Sequence, residues 1–311
     1  MIDVPSSTWF TLAPHWRWWI ILYFFFGGLA GGCYFLAVLI DLFGRPADRP
    51  LARLGYYIAF PLVLLCGILL VVDLNKPLRF WHMLIERNTF GPMFKPWSPM
   101  STGSWALLLF GAFSFGSFLT ALADDDGLTS PRLRKLQPRL RPLMALRPPA
   151  LLGRLFALLG GIFGFFIAGY TGVLLAVTNR PIWADTQLLG LLFIVSAAST
   201  SAALMILLAH RRGWTMPAVT ALHRMDAWMI VLELFVLAAV MISLGPVLTA
   251  WLNAWGALLV LGVVVVGLLV PLLLAWRPGA LRWSTVTTSA VLVLIGGFLL
   301  RVVVVLSSES V

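Results

Sequence analysis

Residues Trp18–Phe43 read WWIILYFFFGGLAGGCYFLAVLIDLF. About 20 consecutive apolar residues let an α-helix cross the hydrocarbon core of a bilayer. This run exceeds that length, and its one charge, Asp41, sits at the far end. It is too long for the apolar part of a signal peptide and has no small-residue cleavage site, so it reads as a retained helix. Within it lies Gly27-Gly28-Leu29-Ala30-Gly31-Gly32, where Gly27/Gly31 and Gly28/Gly32 each repeat at i, i+4. Small residues at that spacing let another helix backbone approach closely. They do not form a dinucleotide loop, because no strand precedes them and they lie inside an apolar span.

Runs of the same kind recur at about 54–74, 98–123, 154–178, 186–209, 226–250, 252–276 and 284–306. The chain has 311 residues, of which 60% are hydrophobic and 11% charged. A soluble domain of this length needs more charge to cover its surface, and a transmembrane β-barrel would show short alternating segments. The expectation is an all-α polytopic membrane protein with eight transmembrane helices. No internal repeat is evident beyond a division into two groups of four helices, 1–178 and 179–311. The net charge of +10 is no sign of nucleic-acid binding, because Lys and Arg cluster at helix ends, as membrane topology demands. Cys33 and Cys66 lie inside apolar runs and read as small packed hydrophobes.

The segments between runs carry most of the information. The N-terminal 17 residues are aromatic, with Trp9, Phe10 and Trp16 leading into Trp18 and Trp19 as an interfacial belt. The segment 124–153 opens on aspartates and continues with Pro, Arg132, Arg134, Lys135, Arg139, Arg141 and Arg147. It reads as a solvated, partly disordered loop. The loops after the first, third, fifth and seventh runs hold most of the positive charge, which places both termini outside the cytoplasm. The loop 73–105 and the turn 179–183 then share the outer face.

Loop 73–105 is the unusual one. It carries Lys76, Arg79, Arg87 and Lys95 beside Phe80, Trp81, Phe90, Phe94 and Trp97. Loops this long are functional or disordered, and the aromatic content argues against disorder. It reads as a shaped docking platform at the membrane surface. Ser98 as N-cap and Pro99 in the first turn start the third helix.

Several polar residues stand within or beside apolar runs. Asp73, at the outer end of the second helix, either pairs with Lys76 or Arg79 or accepts protons beside a redox-active or transported ligand. Tyr170, between Gly169 and Gly172, is either a satisfied core tyrosine or a ligand-binding one beside a hollow left by the glycines. Tyr23 sits at a comparable depth, so the two phenols would flank one cavity. Asp226 and Glu233 are seven residues apart and share one face of the sixth helix. Glu233 is either an internal hydrogen-bonding group or part of a proton path from the cytoplasm. Arg301 reads as snorkelling to the interface, and Asp41 as pairing with Arg45. His15, His82, His210 and His223 fall in loops or at helix ends, which argues against a haem bridged between helices. No phosphate-binding, nucleophile-elbow or zinc motif is present.

The order of these features resembles the NrfD-like family, the membrane subunits of polysulfide reductase and related respiratory oxidoreductases. The likeness rests on the glycine run Gly27 to Gly32, on Asp73-Leu74-Asn75-Lys76-Pro77-Leu78-Arg79-Phe80-Trp81, and on Ser98-Pro99-Met100-Ser101-Thr102-Gly103-Ser104-Trp105. It ends in Tyr170 and Asn179-Arg180-Pro181. The second half matches by being apolar helices of the right number.

The resemblance implies two four-helix bundles, with a quinone (menaquinone or ubiquinone) in the first and no haem or iron–sulfur cluster in the chain. It implies an iron–sulfur partner subunit docked over the site and a larger catalytic subunit, often a molybdenum enzyme, in the cytoplasmic membrane of a bacterium or archaeon. Tyr170 matches a quinone-binding tyrosine, and Tyr23 falls near a polar helix-1 ligand that is histidine in some relatives. Gly28 and Gly169 line the same region, and Asp73 is the carboxylate that exchanges protons. Lys76, Arg79, Trp81 and Arg180 belong to the docking surface. A proton-coupled transporter built on Asp226 and Glu233 is the alternative from another class, although no matching pair of helix breaks supports it. A purely structural anchor is the third.

Overall fold

The computed structural model describes residues 16–125, 131–276 and 283–310. Trp9, Phe10 and His15 lie outside the described residues. The helices are α1 (Trp18–Phe43), α2 (Arg49–Asp73), α3 (Pro99–Ala123), α4 (Pro131–Leu140), α5 (Leu151–Ala176), α6 (Leu189–Arg211), α7 (Pro217–Leu244), α8 (Ala254–Trp276) and α9 (Trp283–Leu306). All except α4 are long and apolar enough to cross a membrane, giving eight candidate spans. No strand occurs among the described residues. In hydrocarbon every backbone N–H and C=O needs an internal partner, and a helix provides one locally.

The most buried helix is α1, which packs against α2, α5, α6 and α9. Its glycine run explains how. Gly27 faces Ile167 and Gly31 faces the Gly164 backbone, both on α5. Gly28 and Gly32 face Ala197 and Ser201 on α6. The two i, i+4 pairs therefore serve two different neighbours. The Ser201 hydroxyl donates to the Leu29 carbonyl at 3.3 Å, an interhelical bond that only this close approach permits. Around α1, the helices α1, α2, α3 and α5 follow one another as neighbours, and α6, α7, α8 and α9 do the same; α6 also packs on α1 and α5.

Three expectations change. The segment after α3 is a helix, not a loop: α4 is followed by a 3-10 turn over Arg141–Leu146. Gln137 donates to the carbonyls of Leu122 and Asp125 at 3.2 and 2.7 Å, answering acceptors that the end of α3 leaves open. Arg147 is buried and ion-paired with Asp124. Second, α2 and α7 begin earlier than their apolar runs, at Arg49 and Pro217. The buried Asp48 explains the second of these starts and immediately precedes the first. Its carboxylate accepts from the N–H of Arg45 at 3.1 Å and from the N–H of Ala218, in the first turn of α7, at 3.1 Å. Third, Asp41 accepts from the Tyr56 hydroxyl at 3.1 Å and forms no ion pair with Arg45 among the described residues.

A Cβ at position 32 would lie 2.8 Å from the Ala197 carbonyl oxygen, so backbone must move to admit it. Gly32→Val is expected to destabilise the chain by about 1–3 kcal/mol, read as a lowered unfolding midpoint in detergent.

Candidate functional site

The site is assembled where α2 ends, α3 begins and α5 ends. Ser98 accepts from the Ser101 N–H at 3.4 Å as the N-cap of α3, with Pro99 behind it, as the sequence indicates. The rest of that motif fastens the platform loop to the helix. The Ser101 hydroxyl donates to the Met93 carbonyl at 3.2 Å and accepts from the Lys95 N–H at 3.0 Å. Trp105 Nε1 donates to the same Met93 carbonyl at 3.0 Å. The loop is further shaped by the 3-10 turn Pro77–Met83 and by a tight turn in which the Met93 N–H donates to the Leu84 carbonyl at 2.8 Å. The result is an ordered surface.

Tyr170, buried on α5, donates from its hydroxyl to the Pro99 carbonyl at 2.7 Å and stacks on Phe166 with ring centroids 5.5 Å apart. Gly103 makes room for it, since any Cβ there would run into the phenol. Tyr23 on α1 is buried and lies in the same apolar cluster, together with Cys66 and Leu69 of α2. It is within electrostatic range of Tyr170, and its hydroxyl has no hydrogen-bond partner among the described residues. Asp73 follows Leu69 by one turn and closes α2. Among the described residues it forms no ion pair with Lys76 or Arg79. A carboxylate at the negative end of a helix dipole is unfavourably placed, so capping does not account for it.

Lys76, Arg79, Arg87 and Lys95 are exposed, Trp81 is half-buried, and Leu78 and Trp97 stand out at 89% and 78% exposure. Glu86 answers locally, accepting from the Thr89 hydroxyl at 2.7 Å. His82 stacks edge-on against Trp81 at 3.9 Å and has a buried Nε2 with no partner.

Other residues singled out in the sequence lie elsewhere. Gly28 faces Ala197 and the Arg301 guanidinium, and Gly169 faces Ile194 of α6. Both admit neighbouring helices, and neither leaves a hollow beside a phenol. Arg180, grouped with the docking cations, is 5% exposed. It reaches the Ser308 carbonyl at 3.5 Å and lies 5.9 Å from the Trp183 ring. Trp183 is wholly buried, donates to the Val304 carbonyl at 2.7 Å and stacks on Trp16. The turn 179–183 thus ties both ends of the described chain to the same end of the bundle as the platform.

Arg301 does not snorkel. It is 1% exposed, donates to the Ser196 hydroxyl at 2.8 Å and the Gly297 carbonyl at 2.6 Å, and faces the rings of Phe25 and Phe193. Glu233 on α7 is buried and leaves Oε1 without a partner. Asp226, on the same side of α7, accepts from the Ser199 hydroxyl at 2.7 Å. A cavity of about 360 Å³ between α7, α8 and α9 reaches Asp226. Sequence reasoning missed Ser196 and Ser199 and quoted Gly103 only as part of a motif; what each does appears once the helices are assembled. Among the described residues no three His, Cys, Asp or Glu side chains converge.

The family model for polysulphide reductase, NrfD matches residues 11–311. The chain belongs to the NrfD family. It is 29% identical to one polypeptide of the polysulfide reductase of Wolinella succinogenes over 320 aligned positions, covering 95% of this chain and 94% of that protein. It is 28% identical to protein NrfD of Escherichia coli over 275 positions, 83% of each. A stretch of 74 residues, 24% of this chain and 17% of the relative, is 35% identical to a subunit of the selenate reductase of Mesobacillus selenatarsenatis. In this NrfD-family chain the tyrosine, the glycine beneath it and the α3 N-terminus act as one unit. Gly103→Ala is expected to break the Tyr170–Pro99 bond at a cost of about 0.5–1.5 kcal/mol. Tyr170→Phe should then cost nothing further in that background, a coupling that a double-mutant cycle of unfolding midpoints would measure.

Proposed function

We propose that this chain is the membrane subunit of a multi-subunit respiratory oxidoreductase, that it oxidises or reduces a quinone at the platform end of α1, α3 and α5, and that it exchanges electrons with an iron–sulfur partner seated on the platform. The observation that carries this is Asp73, a partly buried carboxylate without an ion pair, one turn from the cluster that holds two buried phenols. A bound quinone, menaquinone or ubiquinone, supplies the two-electron, two-proton chemistry. The two phenols supply the kind of hydrogen-bonding groups that such a headgroup needs. Tyr23 has a hydroxyl free to hydrogen-bond, and Tyr170 has one held only by a carbonyl that it can exchange. Asp73 takes up or returns the proton at its carboxylate. The platform offers exposed cations and apolar side chains to the partner.

The reductase subunits among the relatives support a larger catalytic partner, read here as a molybdopterin enzyme. The distribution of Lys and Arg supports a cytoplasmic membrane with the platform and both termini on the outer face. The neighbour order of the helices supports a division into a first bundle through residue 178, read here as holding the quinone, and a second from 179.

A second reading, proton transfer through the other half, is favoured by Asp226 beside a cavity and by Glu233 with an unpartnered oxygen next to Arg301. One set of variants of the purified complex in vesicles tests both. Asp73→Asn is expected to lower quinone-linked turnover by about 100-fold or more, the scale of general acid–base catalysis, and Tyr170→Phe to weaken quinone-site inhibitor binding. Glu233→Gln should keep turnover and lose any accompanying proton movement. Unchanged inhibitor binding and turnover in the first two variants would leave a structural anchor. Substrate uptake by this chain alone would favour the transporter.

A further inference from the structure

At the end of the bundle opposite the platform, the last turn of α1, the first turn of α2 and the approach to α5 enclose a cavity of about 170 Å³. Three guanidinium groups line it, from Arg45, Arg49 and Arg154, against one carboxylate, Asp41. That carboxylate is answered from behind. The Tyr56 hydroxyl donates to it at 3.1 Å, and Arg147 is the cation acting on it most strongly, ahead of Arg49. Arg147 is itself buried, with Nη2 unpartnered. Nearby, Asp48 is occupied by two backbone N–H groups, and Asp124 is occupied by Arg53 and Arg147. None of the three lining arginines forms an ion pair among the described residues.

The helix ends deepen the imbalance. Arg49 opens α2 and Arg154 lies in the first turn of α5, and neither first turn contains an acidic residue or a side-chain cap. Cations at the positive end of a helix repel the local dipole, and an anion placed there relieves both. The surface beside the cavity is apolar. Phe43, Leu151, Leu152 and Leu155 are 81%, 75%, 56% and 50% exposed. A free ion would gain nothing from those side chains, whereas acyl chains would lie along them. Basic pockets at helix ends that adjoin an apolar surface suit lipid headgroups, and guanidinium groups suit phosphate by charge and by forked geometry.

We propose that this cavity is a binding site for the phosphate of an anionic membrane lipid, held by Arg45, Arg49 and Arg154, with its acyl chains along Phe43 and the leucines at the start of α5. The bound lipid would brace the junction of α1, α2 and α5 at the end remote from the platform. This site is independent of the quinone reading.

The test is lipid retention by the purified complex in nanodiscs of mixed phosphatidylglycerol and phosphatidylcholine, read by mass spectrometry after detergent extraction. Wild type is expected to enrich phosphatidylglycerol, and Arg49→Gln/Arg154→Gln to reduce that enrichment about tenfold. Arg132→Gln/Arg134→Gln on α4 removes equal charge elsewhere and is expected to leave it unchanged. Arg45→Gln, on an exposed turn, gives an intermediate loss if the double variant does not fold. Equal enrichment in wild type and the cavity variants would overturn the proposal, as would an equal loss in the α4 variant. Full displacement of the lipid by millimolar inorganic phosphate would also overturn it, by making the site one for free phosphate.

Discussion

The close approach of α1 to α5 and α6 is the constraint from which the other contacts follow. Between helices in lipid there is little hydrophobic drive, so association depends on packing and on interhelical hydrogen bonds. Gly31 against the Gly164 backbone and Gly32 against Ser201 bring three backbones together. That distance lets Ser201 bond the Leu29 carbonyl and the Cys33 thiol approach the Ser201 carbonyl at 3.9 Å. It also sets Gly28 against Arg301, so that a guanidinium can sit inside the protein under Phe25 and Phe193. With α1 fixed at the centre, its ends acquire different characters. One end presents Tyr23 beside Tyr170, and the other presents Asp41 among arginines.

The platform end is held by hydrogen bonds that cross long sequence distances. Tyr170 reaches Pro99, Trp105 reaches Met93, and Trp183 reaches Val304. Each joins an aromatic side chain to a main-chain carbonyl, so the loops are positioned by the same residues that fill the core. Such a frame can carry exposed apolar and cationic groups without collapsing. It also separates two sets of ionisable residues. Asp73 lies at the end of α2, while Asp226 and Glu233 are buried on α7.

Much of the fold was legible because a membrane-spanning helix announces itself through length and apolarity. The limits of α1 and the start of α3 at Ser98-Pro99 were read correctly from composition and capping chemistry. The failures share a physical cause. The start of α7 depends on Asp48, a cap from 170 positions away, and no local rule sees such a partner. The segment holding α4 is rich in proline and charge, and its order comes from Gln137 closing the end of α3. Arg301 looked like an interface cation because charge near a helix end usually snorkels, and Arg180 was grouped with the docking surface by the family resemblance. Both are buried, Arg180 against the Ser308 carbonyl past the end of α9 and Arg301 against the Ser196 hydroxyl of α6. Gly103 was quoted in the sequence as part of a motif, but its purpose appears only once Tyr170 lies over it.

As proposed above, this protein works as a quinone-reacting subunit inside a larger redox complex. The most direct measurement is gentle-detergent purification through a tag on this polypeptide, with co-purifying subunits identified and bound quinone and iron counted. The expected result is an iron–sulfur protein, a larger catalytic subunit and about one quinone per complex. A polypeptide that purifies alone, with neither iron–sulfur partner nor quinone, would contradict the claim.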